Sequence, residues 1–248
     1  GSIGCWASSS SSSFSYPAWG CFWGRRLCER PRKPPRRGVR GAIHLAAELV
    51  AASTMTHRRT AVLFYSGTGN SRRVAAWIAD AARATGSDIL LAPLSSTQTE
   101  AAIGDGPGSL LVLTLPTHGF TAPWAVLRLA RRLPRRHGTH AAVVATRGGL
   151  KIGPIFTPGF QGSAALLPAL ILVAKGYKVR GTAGVDMPSN WTALHPSLPP
   201  ESVDAIIERA HNKTAALADL LLSERRWPAP WLVWLLGLLL LPVSLLYL

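Results

Sequence analysis

Thiols are almost missing from this chain. Its three cysteines, Cys5, Cys21 and Cys28, sit near the start, and nothing after Cys28 carries sulfur except Met55 and Met187. A disulfide framework, a cysteine-only zinc site and a cysteine-held iron–sulfur cluster are thereby excluded from the main body. Acid is scarce as well. Twelve Asp and Glu face 27 Lys and Arg, a formal charge of +15. Such a balance favours anionic partners such as phosphates or acidic lipid and says nothing about fold. Charged residues of either sign make up only 16% of the chain, against about 25% in ordinary soluble domains. With 48% hydrophobic residues, a wholly disordered chain is ruled out and a sizeable core is within reach.

What is present divides into distinct regions. Residues 1–54 hold a serine run, Ser8 to Ser13, and an Arg/Pro stretch from Arg25 to Arg40 in which Pro31, Pro34 and Pro35 forbid a regular helix. The region reads as a disordered, basic, serine-rich N-terminal extension. A targeting sequence and a basic nucleic-acid-binding arm are the alternatives. Residues 58–222 alternate apolar runs with helical periodicity, the mark of βαβ units. Strands are expected at Ala61–Tyr65, Asp88–Leu94, Ser109–Leu115, Thr139–Thr146 and Tyr177–Met187. Helices are expected at Ser71–Arg83, Trp124–Arg132, Gly162–Ala174 and Ser202–Leu222. The fold class is α/β, a doubly wound five-stranded parallel sheet. From Trp227 to Leu248 no charge occurs. A helix of that length spans about 33 Å, enough for a bilayer core. Residues 227–248 are therefore expected to form one transmembrane helix. Arg225 and Arg226 before it place the α/β domain on the cytoplasmic side.

The most informative stretch is Ser66-Gly67-Thr68-Gly69-Asn70-Ser71, between the first strand and the first helix. Two glycines allow a tight turn and close backbone approach to an anion. Four polar side chains and a helix N-terminus supply donors. The dinucleotide fingerprint lacks its third glycine, since Arg72 stands there, and the nucleoside-triphosphate loop lacks its Gly-Lys-Ser/Thr.

This loop resembles the FMN phosphate loop of flavodoxins, and most of all that of the flavodoxin-like domains found beside bacterial-type ferredoxin modules. Further motifs follow in the family's order: Pro116-Thr117-His118-Gly119-Phe120-Thr121-Ala122-Pro123 after strand three, and Thr146-Arg147-Gly148-Gly149 as a turn after strand four. Gly176-Tyr177 precedes strand five, and Met187-Pro188-Ser189-Asn190-Trp191 follows it. The resemblance implies strand order 2-1-3-4-5 and FMN held at Ser66–Ser71, Pro116–Phe120 and Thr146–Gly149. Trp191 could close over the flavin ring, and His118 could contact it or face solvent. Arg147 would either stabilise the negative charge of the reduced flavin or pair with an acid such as Asp186. No catalytic side chain is required, because the flavin carries the chemistry. No metal is expected: His137, His140 and His195 lack ligand spacing and read as surface residues.

The resemblance implies an FMN electron carrier, and the apolar stretch 227–248 would anchor it in a membrane. Its partners would be a separate redox protein, such as a ferredoxin or a reductase, or a membrane quinone, together with the lipid bilayer; nucleic acid is not expected. An FMN-dependent NAD(P)H oxidoreductase is the alternative, and a non-redox, basic anion-binding membrane protein is a third. Trp124 reads as core, and the cluster Arg131, Arg132, Arg135 and Arg136 reads as a solvated face that could touch anionic lipid.

Overall fold

The structure, a computed structural model, describes residues 57–95, 103–190, 197–227, 235, 237–240 and 242. All lie in the compact unit His44–Leu248; the preceding unit, Gly1–Ile43, falls outside the described residues, as does the expected N-terminal extension. The elements are β1 (Arg59–Phe64), α1 (Asn70–Ala84), β2 (Asp88–Pro93), β3 (Ser109–Pro116), α2 (Trp124–Arg132), β4 (His140–Ile152), β5 (Ile155–Thr157), α3 (Leu166–Ala174), β6 (Lys178–Pro188) and α4 (Pro200–Leu222).

Five strands, β2-β1-β3-β4-β6, pair in parallel. This is the order of a flavodoxin-like sheet, whose cofactor site lies beyond the carboxyl ends at the β1/β3 switch. Alternation along the central strands explains why both faces are covered. Leu63, Leu111, Leu113 and Val143 point into one core cluster with Val126, Leu127 and Leu172 of α2 and α3. Val62, Leu110, Val112 and Val144 point into the other with Val74 and Ile78 of α1 and Leu217 and Leu221 of α4. A strand buried on both sides must be apolar at successive positions, and β3 is buried from Ser109 to Leu115.

A sixth strand departs from the expectation. The stretch Thr146–Gly149 is not a turn. β4 runs through it to Ile152, reverses at Gly153, and returns as β5 in antiparallel register, Ile152 against Ile155. Gly148 and Gly149 serve close approach between strands. A Cβ on Gly148 would meet Ser189 at 3.0 Å, and one on Gly149 would meet Asp186 at 3.0 Å and Phe156 at 3.4 Å.

The edge of β6 is partly closed by the chain after α4. Trp227 N–H donates to the Arg180 carbonyl at 3.1 Å, and Gly181 leaves room for the Trp227 side chain. Trp124 is a correction: it is 49% exposed and lies 5.2 Å from the Arg131 guanidinium rather than in the core. In the basic cluster, Arg131, Arg132 and Arg135 are exposed, whereas Arg136 turns inward and donates to the Ile103 carbonyl at 3.0 Å. Among the described residues no helix is long and apolar enough to cross a membrane, and most of 227–248 lies outside them.

Candidate functional site

Three sequence-distant loops converge at the carboxyl end of the sheet. Ser66, Gly67, Thr68, Asn70 and Ser71 meet Pro116, Thr117 and His118 and then Thr146, Arg147 and Gly148 around a concavity of about 110 Å³. Met187, Pro188 and Asn190 complete its wall. The head of α1 forms its floor. Gly69 occupies the N-cap with φ 91°, a conformation that suits glycine, and no side chain caps the helix. No acid stands in the first turn. The free N–H groups of that turn and its dipole are thus presented to whatever enters.

Polar groups around this cradle fall into two sets. Some are consumed by the protein: Ser71 Oγ and Thr146 Oγ1 bond each other at 2.8 Å in a buried contact. Asn70 Nδ2 donates to the Pro188 carbonyl at 3.2 Å, tying the loop after β6 to the head of α1. The Gly69 N–H donates to Ser66 Oγ at 3.1 Å and shapes the turn. Thr117 Oγ1 belongs to the other set. It is buried and, among the described residues, has no hydrogen-bond partner. A buried hydroxyl left unmatched costs about 1–3 kcal/mol, so this atom awaits a ligand. A Cβ on Gly67 or Gly69 would meet nothing within 4 Å, which leaves open space above the turn. Volume, donors and the missing acid all fit a phosphate group.

A second hollow of about 500 Å³ continues from the first, sharing Thr117 and Gly148. Gly119, Phe120, Leu150 and Phe160 give it apolar walls, and residues 157–160, at and just after the end of β5, form its far side. Its rim rests on a tight reversal. His118 and Thr121 exchange two backbone hydrogen bonds of 2.9 Å, and the residues between them, Gly119 and Phe120, have φ 51° and 62°. That is a type I′ turn. A left-handed Phe is uncommon and costs on the order of 1–3 kcal/mol. The Phe120 carbonyl is fixed by the Ser163 N–H at 2.8 Å. The strain holds an aromatic side chain, 37% exposed, at the mouth of an apolar hollow.

Most of the sequence candidates therefore come together at the cradle: Ser66, Gly67, Thr68, Asn70 and Ser71 with Pro116, Thr117 and His118 and with Thr146, Arg147 and Gly148. Gly69 serves them from the N-cap of α1. Gly119 and Phe120 line the adjoining hollow instead, and Gly149 lines neither. Trp191 lies outside the described residues. His118 sits at the cradle mouth, where partial burial lowers its pKa below the ordinary value. Arg147 pairs with Asp186 through Nε–Oδ1 at 2.7 Å and Nη2–Oδ2 at 3.1 Å. Its charge is thus compensated, which argues against the tuning role and for the pairing. Leu150 of the hairpin and Pro158, Gly159 and Phe160 just after it escape the sequence reading, because the glycine pair in front of them has the look of a turn.

His140 is a further correction. It is buried, not on the surface, at the opposite end of the sheet. Its Nδ1 lies 2.8 Å from His57 Nε2, and Arg180 Nη2 lies 2.6 Å from its Nε2. His57, His140 and Glu224 bring ligand atoms within 4.8 Å of one another. The donor set does not fit a metal ion. Arginine can only donate, so His140 Nε2 accepts and its ring proton sits at Nδ1, between the two histidines.

No family model and no curated protein matches the sequence. Solved structures that resemble it include a flavodoxin of Streptococcus pneumoniae TIGR4, 17% identical over 64% of this chain and 98% of that one, with a TM-score of 0.41. A flavodoxin from the domain Archaea is 12% identical over 65% and 99%, TM-score 0.40. The rubredoxin oxygen:oxidoreductase of Desulfovibrio gigas is 14% identical over 74% of this chain and 42% of that one, TM-score 0.41. The fold assignment rests on the strand order itself.

Proposed function

We propose that this chain is an FMN-binding electron-transfer protein of flavodoxin type, held at a membrane by its C-terminal segment. The observation that carries the reading is the cradle: an uncapped helix head, an open glycine turn and the orphaned Thr117 hydroxyl, beside an apolar hollow under Phe120. When bound, FMN would supply one- and two-electron redox chemistry. The chain's own work is positional. Thr117 and the first turn of α1 would hold the phosphate, and Asn70 would fix the neighbouring loop. Phe120, Leu150 and Phe160 would exclude water from the ring. No general acid, base or nucleophile is needed.

Support for the membrane reading comes from apolar surface. Leu235, Leu238 and Leu239 are 43%, 62% and 65% exposed, and Leu170 and Val173 of α3 are 49% and 54% exposed. A Cβ on Gly237 would lie 3.0 Å from the Gly162 carbonyl and 3.6 Å from Leu166, so Gly237 lies at the head of α3. Arg225 and Arg226 favour a cytoplasmic α/β domain. The electron partner would be a separate redox protein or a membrane quinone.

A detergent extract of the purified full chain tests the reading. Visible flavin absorption and saturable FMN binding are expected, and a colourless protein that ignores FMN refutes it. An NAD(P)H oxidoreductase is the second reading, favoured by a basic cavity next to the cradle. Only that activity bleaches the flavin on addition of NADPH without a helper protein.

A further inference from the structure

On the other side of Arg147 from the cradle, the β4–β5 hairpin and α4 enclose a cavity of about 670 Å³, a size usual for small-molecule sites. Its charged side chains are Arg147, Asp186, Arg209 and Lys213. Among the described residues its one carboxylate is fully engaged. Asp186 Oδ1 accepts from Arg147 Nε at 2.7 Å and from the Gly159 N–H at 2.8 Å, while Oδ2 accepts from Arg147 Nη2 at 3.1 Å. Among the described residues no further acid of the cavity is left for Arg209 and Lys213. They stand four residues apart on α4, where like charges face and repel one another. The Arg209 guanidinium lies 4.3 Å from the Phe156 ring centre and is steadied against the hairpin. Lys213 is half-buried. Burial first, then Arg147, and to a lesser degree Arg209 push its pKa below the ordinary lysine value, with Asp186 opposing. An anion entering here would relieve both the burial and the repulsion.

We propose that this cavity is a second anion site, which takes the phosphate or pyrophosphate group of a small phosphorylated ligand beside the cradle. Two uncompensated cations match the charge of a phosphate dianion. Phe156 and Pro158 offer an apolar wall to the rest of such a ligand. Lys213, set back in the cavity, is within reach of a small group, whereas an acidic protein partner would meet chiefly the exposed Arg209. The charge imbalance exists whether or not flavin is bound, so the proposal does not rest on the flavin reading.

Pyrophosphate is the probe, titrated by calorimetry into the full chain at low salt, with and without FMN. Saturable binding is expected in both cases. With saturating FMN filling the cradle, it should weaken at least tenfold in Lys213→Gln and in Arg209→Gln, recover in Lys213→Arg, and stay unchanged in Thr68→Ala. Binding should also take up protons at a pH where Lys213 is partly neutral, and Lys213→Gln should abolish that uptake. FMN affinity equal to wild type in the Gln variants reports that the fold is intact. NADP⁺ compared with NAD⁺ distinguishes a dinucleotide phosphate from a free one; a preference for NADP⁺ that disappears in Lys213→Gln supports the former, and equal affinity with pyrophosphate still bound supports the latter. Equal pyrophosphate binding in wild type and both Gln variants overturns the proposal. So does loss of binding in Thr68→Ala alone, which would put the anion in the cradle. If FMN fails to bind while pyrophosphate behaves as expected, the flavin reading falls and this one stands.

Discussion

Acidification should destabilise this protein through His57, and the structure gives the size of the effect. Arg180 donates to His140 Nε2, His140 Nδ1–H donates to His57 Nε2, and His57 is left with its proton on Nδ1, a buried nitrogen without a partner. Both rings are neutral. A proton added at His57 Nε2 would face the His140 N–H, and moving that hydrogen to Nε2 would turn it against Arg180. No tautomer removes the donor–donor conflict. The His57 pKa is accordingly lowered from 6.5 to about 4, by burial above all and then by His140, with Glu224 opposing and Arg180 contributing least. The unfolded chain binds this proton below pH about 6.5 and the folded chain only below about 4, so stability present at neutral pH is lost as pH falls through that window. By linkage the loss is about 2.5 kcal/mol at pH about 4.5, and about 2 once the water that still reaches the ring is allowed for. Urea unfolding at neutral pH and at pH about 4.5 measures it. The comparison is His57→Gln, whose side-chain oxygen can accept from His140 but does not titrate. Wild type should lose about 2 kcal/mol more than the variant across the window. Parallel losses in the two proteins would refute the reasoning.

Other outcomes follow from the cradle and its neighbours. Thr117→Val should leave the ligand-free protein as stable as before or about 1 kcal/mol more so, because a buried unmatched hydroxyl is removed, while FMN binding weakens about tenfold in fluorescence titration. Phe120→Gly should stabilise the free protein by about 1 kcal/mol by relieving the left-handed turn, yet loosen flavin, read by denaturation and FMN titration together. Arg147→Ala should cost about 3 kcal/mol or more in stability, because it strands the Asp186 carboxylate, 8% exposed. A fully stable Arg147→Ala protein in chemical denaturation would show that the pair is not structural.

The strands were readable because burial on both faces demands unbroken apolar runs, and Ala61–Leu63 and Leu110–Leu115 have no other explanation in a chain with so little charge. The cradle was readable because Gly67 and Gly69 sit where strand meets helix, and such a turn has few uses other than anion binding. The hairpin was not. Gly148 and Gly149 carry the same sequence signal whether they bend the chain or admit a neighbour, and only the approach of Ser189, Asp186 and Phe156 decides between the two. The pairs Arg147–Asp186 and His57–His140 join residues 39 and 83 positions apart; the β4–β6 register brings the first together, the meeting of the chain before β1 with the start of β4 the second, and no local pattern shows either. Arg209 and Lys213 have the spacing of an ordinary solvated helix face. Their meaning came from the hairpin that folds over them.

Trp227 bears on how the protein can be cut. Among the described residues β6 pairs only with β4, so its other side presents an open row of peptide groups to them. The bond from Trp227 to Arg180 occupies one of those groups, and the Trp227 side chain packs over Gly181 against the core on one face of the sheet. Removing that bond would offer β6 as a template to another molecule's strand. A truncation meant to remove the apolar C-terminal segment should therefore end after Trp227. One that ends at Arg226 risks self-association through the sheet, and its failure to stay monomeric would reflect the uncovered strand rather than a lost part of the core.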